Sequence, residues 1–423
     1  MPRPLIAANA LRHSASFVLA LLFLYGLAHF LLKIFGGFAW DFAINWTAAL
    51  ALRHGIPLYD ATALQALAMT HIDDGMRQLF NGPFQRYISL PTTAMLLTPF
   101  SLLPFELATL LYRSVMLLAL IIGTRLALRD QPTLPPTALV LSVVLVMLWQ
   151  PARTSLQLGQ VDGWIVLALG LTLFAVSRQR PWLAGIGIGV ATLLKISPAL
   201  LLLHCLLRRQ WSTVLAGGLT ILAGIILCAL PQHGDDLKTF VSQVTPTLRH
   251  GTAHAQNQAL GAVLARLAAG PAAPTTFFDT PGQWQWVGLL PAVLLLPSMA
   301  WQRRQQPLHP LELGCCIVLA LLAGPLSWDH YSSWALLPAA LLLHRADSRW
   351  ITLPAVLPFL FALPVSQSHT APLISWAIGN NAYVIGHWLL LFSCLWALLR
   401  QCQSPSTTVT DAFPHGHTHP DTR

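Results

Sequence analysis

Residue 41 is an aspartate in a chain that is poor in acids, at the start of the stretch 40–60 (WDFAINWTAALALRHGIPLYD). A carboxylate placed where an apolar span meets water, ahead of an amphipathic run, is a candidate general base. It can take a hydroxyl proton from an acceptor held within hydrogen-bond reach. Four further clusters put polar groups where apolar residues would cost less. They are Arg86-Tyr87, 157–162 (QLGQVD), 195–198 (KISP) and 327–331 (SWDHY), the last backed by Asn257 and Gln258. Lys195, His330 and Arg86 are cations that can offset the charge of an anionic leaving group. Asp329, Gln160, Asn257 and Gln258 are the remaining candidates for substrate binding. Each has a simpler alternative. Lys195 can snorkel from its apolar stretch, Asp329 can cap a helix next to His330, and Gln160 and Asp162 stand where caps are common. The adjacent pair Asp73-Asp74 lacks a third ligand, so no metal site is expected and the chemistry should need neither metal nor cofactor.

These residues sit in an oily chain. Of its 423 residues, 55% are hydrophobic and 9% charged, and the mean hydropathy is +0.60. A soluble domain carries about a quarter charged residues. Leu/Ala/Val runs recur almost end to end, near 14–35, 106–128, 137–149, 161–177, 182–194, 198–207, 211–230, 285–301, 312–324, 331–344, 350–364 and 383–400. The expected fold is an all-α polytopic membrane protein with about 11–12 transmembrane helices. Short alternating strands, the signature of a membrane β-barrel, do not occur. The first run is longer than the roughly 7–15 residues of a signal-peptide core, so it reads as an uncleaved first helix. The net charge of +9 comes from Lys and Arg spread through short loops, which indicates bilayer orientation rather than a nucleic-acid partner. The six cysteines show no CxxC spacing and read as small packing residues.

The basic residues alternate between connections. Arg3, Arg12, Arg125/Arg129, Arg178/Arg180, Arg208/Arg209, Arg303/Arg304, Arg345/Arg349 and Arg400 fall on one side. The positive-inside rule makes that side cytoplasmic. Most acids fall on the other side, which includes two long loops, 36–105 and 231–284. The first loop is expected to hold two amphipathic helices lying on the bilayer, 44–52 and 61–79. A Pro-broken run at 92–103 follows, and reads as re-entrant or interfacial. Residues 1–402 form the membrane domain, and 403–423 a disordered cytoplasmic tail.

In order, Asp41, 55–60 (GIPLYD), 157–160 (QLGQ), 185–198 (GIGIGVATLLKISP), 257–260 (NQAL) and 324–330 (GPLSWDH) resemble the pattern of glycosyltransferase family 87. The resemblance spans about 36–345. That family consists of integral-membrane enzymes of the GT-C superfamily, often polyprenol-phosphate-mannose-dependent mannosyltransferases. The resemblance implies a GT-C-like bundle in the plasma (inner) membrane. It implies inverting transfer of a hexose, mannose being the expected sugar, from a polyprenyl-phosphate carrier. The acceptor would be a glycolipid or envelope glycan on the extracytoplasmic face. Asp41 would be the base, and His330, Lys195, Arg86, Asp329, Gln160, Asn257 and Gln258 the binding residues. Gly185, Gly187 and Gly189 are expected to shape a groove for the isoprenoid tail. One departure is Tyr331, where a second histidine is common in the family. The rival readings are a transporter or flippase of lipid-linked sugars and a non-catalytic envelope scaffold. Transporters favour internal repeats and ionisable residues at mid-membrane; this chain has no clear repeat, and most of its ionisable residues sit at helix ends.

Overall fold

The apolar runs named above fall on helices wherever the structure describes them. The structure is a computed structural model, described over residues 24–72, 86–129, 138–229, 234–270, 282–343, 349–362 and 377–403. In chain order the helices are α1 (Leu24–Phe35), α2 (Trp40–Arg53), α3 (Ala61–His71), α4 (Pro91–Leu97), α5 (Phe105–Leu128), α6 (Ala138–Leu148) and α7 (Gln150–Leu158). The middle of the chain forms α8 (Asp162–Ser177), α9 (Pro181–Leu194), α10 (Ala199–Leu207), α11 (Trp211–Cys228), α12 (Gly234–Thr239) and α13 (Thr245–Arg249). The last set is α14 (Leu260–Ala269), α15 (Gly282–Gln302), α16 (Pro310–Ala323), α17 (Leu336–Leu343), α18 (Arg349–Val356) and α19 (Ala382–Gln403). Among the described residues there is no β-strand beyond one isolated bridge, Asn257 with Trp328.

Among the described residues four helices, α5, α11, α15 and α19, are long and apolar enough to cross a bilayer. The count rises to six if the bent pairs α1/α2 and α6/α7 each make one span. Several of the remaining apolar helices are shorter than the ~20 residues that a perpendicular crossing needs. Their buried polar termini carry the site. Large apolar side chains face outward along α5, α11 and α15, such as Leu118, Leu222 and Leu294. That is the surface a lipid-facing bundle presents. The protein is a multi-pass membrane protein.

Close backbone approach sets the spacing of the central helices. A β-carbon on Gly170 of α8 would collide with the carbonyl of Gly123 on α5. One on Gly163 would lie 2.8 Å from the Met116 carbonyl oxygen. Small residues at such crossings let membrane helices touch. The glycines of α9 are used the same way. Gly185 and Gly189 abut Thr213 and Thr220 of α11, and Gly187 abuts Thr172 of α8. They pack helix against helix, so the expected lipid groove is not built from them.

The first long loop also departs from expectation. Residues 42–51 of α2 are buried on every face, with α3, α4, α5 and α7 packed around them. The helix is therefore a core element rather than one lying on the bilayer. Its apparent polar face is satisfied internally: Thr47 Oγ1 donates to the Ala43 carbonyl at 2.8 Å, and Trp46 Nε1 donates to the Phe100 carbonyl at 3.1 Å. Helix α3 is the amphipathic one, with Leu64 and Ala68 buried. The residues 73–79 that were expected to extend it lie outside the described residues, as do Asp73, Asp74 and the tail 404–423.

Helix α16 ties the two ends of the bundle together. At its start the buried Glu312 accepts from Arg303 Nε at 2.8 Å and faces Arg208 Nε at 3.2 Å and His204 Nε2 at 3.3 Å. At its far end the chain runs directly into the loop carrying Asp329 and His330. The arginine-rich connections and the polar site thus occupy opposite ends of this helix.

Candidate active site

Six of the eight residues expected at the site line one cavity of about 550 Å³. They are Asp41, Arg86, Gln160, Lys195, Asp329 and His330. The volume is within the roughly 300–1,000 Å³ of ligand pockets.

Asp41 lies in the first turn of α2. Asn45, one turn later on the same face, also lines the cavity. Gln160 Nε2 donates to Asp41 Oδ2 at 2.8 Å. Gly159 makes this possible. It ends α7 in the left-handed conformation, φ 72° and ψ 43°, and a β-carbon there would stand 2.5 Å from that of Phe42. The tight turn brings QLGQ against the start of α2. Among the described residues no hydrogen bond engages Asp41 Oδ1, so one oxygen is clamped and the other is open.

Lys195 caps the end of α9, but it is not the free cation that the sequence suggested. Its Nζ lies 2.7 Å from Asp162 Oδ1 and 3.3 Å from the centroid of the Tyr331 ring. Its charge is already offset. Asp162, fully buried, also accepts from Trp334 Nε1 at 3.0 Å and from Ser155 Oγ at 3.1 Å.

His330 stands on a 3₁₀ turn, Asp329–Ser333. Its backbone N–H donates to Asp329 Oδ1 at 2.8 Å, and its Nδ1 lies 3.3 Å from the same oxygen. Its Nε2 is buried and makes no hydrogen bond within the described residues. Its nearest acid there is Asp162 Oδ2 at 4.0 Å. Asp329 thus orients the ring and leaves Nε2 for a ligand. Arg86 is exposed and is the one arginine lining the cavity among the described residues. Leu90, Leu194, Ile196, Phe240, Leu248 and Leu326 supply an apolar wall.

Asn257 and Gln258 are corrections. Neither lines the cavity. Asn257 Nδ2 donates to the carbonyls of Thr252 and Pro325 at 2.9 and 3.0 Å, and its Oδ1 accepts from Ser327 N at 2.8 Å and Ala259 N at 3.2 Å. Gln258 Nε2 donates to Ala255 O and Asn380 O, and its Oε1 accepts from Val384 N. Asn257 pins the second loop to the SWDHY loop and Gln258 pins it to the start of α19, so they support the site from behind. Sequence reasoning passed over residues beside them that do line it, His254 and Gln256, and did not single out Trp328 within the SWDHY cluster. Burial, and then the Arg266 charge, push the His254 imidazole below its ordinary range. Its Nδ1 accepts from Gln256 N at 3.3 Å.

This arrangement of a half-clamped carboxylate, a histidine with a free ring nitrogen and an apolar wall suits group transfer from a lipid-borne donor. The family model described as glycosyltransferase family 87 matches residues 89–325, more than half of the chain. The chain belongs to glycosyltransferase family 87. Among family relatives is a polyprenol-phosphate-mannose-dependent alpha-(1-2)-phosphatidylinositol mannoside mannosyltransferase of Mycolicibacterium smegmatis. It is 28% identical over 324 residues, 70% of this chain and 69% of the relative. The protein of the same name from Mycobacterium tuberculosis is 26% identical, covering 72% and 69%. An alpha-(1->3)-arabinofuranosyltransferase of Corynebacterium glutamicum is 26% identical over 45% of this chain and 42% of its own length. Membership of family 87 makes this chain a glycosyltransferase.

Proposed function

We propose that the enzyme transfers a hexose, mannose in the first instance, from a polyprenyl monophosphate to a glycolipid or envelope-glycan hydroxyl, with inversion at the anomeric carbon. The acceptor oxygen attacks that carbon, and Asp41 Oδ1 takes the hydroxyl proton. The bond from the anomeric carbon to the phosphate oxygen breaks, and the electron pair leaves with the polyprenyl phosphate. The observation that carries this reading is the Asp41–Gln160 bond of 2.8 Å. It fixes a carboxylate and keeps its second oxygen on the wall of the same cavity as His330 and Arg86.

Two further observations support the details. A retaining double displacement needs a second carboxylate as nucleophile. Asp162 is committed to Lys195, Trp334 and Ser155, and Asp329 holds His330 through its Oδ1. With Asp329 assigned to orienting His330, Asp41 is left as the base of a single displacement. Arg86 and the His330 Nε2 group supply donors for the leaving phosphate, so transfer is proposed to be independent of divalent metal. The site's position across α16 from Arg208 and Arg303, together with the positive-inside rule, supports an extracytoplasmic site in the plasma membrane.

The test is purified enzyme in nanodiscs with polyprenyl-phosphate [³H]mannose and, as competitor, polyprenyl-phosphate arabinose, because one relative is named for arabinofuranosyl transfer. Label should move to a glycolipid acceptor, and the product anomer should be opposite to that of the donor. Retained configuration would refute the single displacement. Label that crosses a vesicle membrane while still on its carrier would make the protein a transporter.

A further inference from the structure

The Lys195–Asp162 pair has a geometry that sugar transfer alone does not explain. Asp162 gathers Lys195 Nζ at 2.7 Å, Trp334 Nε1 at 3.0 Å and Ser155 Oγ at 3.1 Å. Lys195 is the one lysine on the cavity wall among the described residues. Its charge and that of Asp41 act on one another, yet its ammonium bonds to Asp162. We propose that Asp162 is a positioning residue that holds Lys195 away from Asp41, so that the base stays unpaired and able to accept the acceptor's proton.

The argument is a competition between two carboxylates for one flexible cation. A carboxylate beside an opposite charge loses basicity, by about 1–3 pKa units at roughly 4–6 Å. An ammonium resting on Asp41 would therefore blunt the base. Asp162 wins the competition because Trp334 and Ser155 hold its oxygens in place, and because a pair whose carboxylate is fully buried and whose lysine side chain is 11% exposed is weakly screened. The Tyr331 ring under the ammonium holds it further by cation–π attraction. The groups facing Asp41 are Gln160, His330, Lys195 and Asp162. Those facing Asp162 also include the neutral phenols of Tyr112 and Tyr331. The acids on the described cavity wall are Asp41 and Asp329. Of the two, Asp41 is the one whose charge acts on Lys195, and its Oδ1 is open, so with the Asp162 charge removed the ammonium turns to Asp41.

This inference rests on Asp41 being the base, and the experiment separates the two. Asp162→Asn, Asp162→Asn/Lys195→Gln and Asp41→Asn enzymes are compared in nanodiscs for kcat, its pH profile and donor KM. Asp162→Asn should lower kcat on the order of tenfold or more with little change in donor KM. The double variant should recover most of that loss, because a neutral glutamine in place of the lysine has no charge with which to pair Asp41. Relief of the stranded charge would also raise the double variant under a merely structural role, so the kcat–pH profile decides. Pairing of Lys195 with Asp41 moves the acidic limb of Asp162→Asn to lower pH and the double variant restores it, whereas a structural role leaves the limb at its wild-type position in both. A limb that stays in place, or wild-type kcat in Asp162→Asn, overturns the proposal. The single variant strands a buried ammonium and can fail to fold. In that event the double variant, which leaves no unpaired buried charge, decides alone. A kcat within a few-fold of wild type supports the proposal, and a kcat as low as that of Asp41→Asn overturns it. If Asp41→Asn itself turns over normally, the base assignment fails. If Asp41→Asn is slow and the double variant is not rescued, only the role of Asp162 fails.

Discussion

Asp41→Asn isolates the proton-accepting charge from everything else the residue does. The amide oxygen of asparagine can still accept from Gln160 Nε2, so the 2.8 Å clamp persists. Asp41 lies in the first turn of α2, where an acid near the helix N-terminus contributes about 0.3–1 kcal/mol. That is small beside a typical stability of about 5–15 kcal/mol, so membrane insertion and thermal stability should stay near wild type. Loss of general-base catalysis lowers turnover about 10²–10⁴-fold, or about 2.7–5.5 kcal/mol at 1.36 kcal/mol per tenfold. Donor affinity should hold, because the proposed phosphate contacts are Arg86 and His330. The assay is single-turnover transfer of labelled mannose from polyprenyl phosphate in nanodiscs, with donor binding measured separately. A loss of less than about tenfold would take the base away from Asp41. A parallel fall in donor binding and turnover would recast the residue as a binding contact.

Arg86→Ala deletes a charge-assisted contact worth about 1.5–3 kcal/mol, so donor KM should rise about 10–150-fold with a smaller change in kcat; a kcat effect alone would refute a phosphate role. Asn257→Ala leaves at least two buried backbone partners unpaired, at about 1–3 kcal/mol each, and should lower the thermal midpoint without selectively raising donor KM. Activity should survive excess EDTA, and abolition with rescue by Mg²⁺ or Mn²⁺ would place a metal in the mechanism. In a background without native cysteines, an impermeant thiol reagent added to spheroplasts should label His54→Cys but not Gln305→Cys, both at exposed positions; the reverse pattern would put the site on the cytoplasmic side.

Much of this site was legible because lone polar residues at the ends of apolar runs have few places to go. Asp41, Gln160, Lys195, Asp329, His330 and Arg86 were separately visible and share one cavity. Their partners were harder to see. Lys195 finds its counter-charge 33 residues away, and Asp162 meets Trp334 across 172. Asp162 begins a helix, where a carboxylate reads as a cap, and nothing local marks it as a hub. Asn257 and Gln258 looked like ligand-binding groups because a sequence does not tell whether an amide faces a substrate or a backbone. Helix α2 misled for a related reason. Its Asn45 and Thr47 suggested a wet face, whereas the surrounding helices bury them.

The contact of α5 with α8 through Gly123 and Gly170 bears on how this protein tolerates inherited change. Gly170 lies eight residues along α8 from Asp162, about 12 Å at 1.5 Å per residue. Helix α8 is stiff over that span, so a methyl group inserted at Gly170 acts as a wedge that tips the far end. Gln160, immediately ahead of α8, would move with it relative to Asp41. A misplacement of about 1 Å can cost on the order of 10²-fold in rate. An alanine at Gly170, buried among helices and touching neither donor nor acceptor, would then be as damaging as a change on the cavity wall. Selection on the speed of sugar transfer would reach a helix crossing remote from the cavity through one missing side chain.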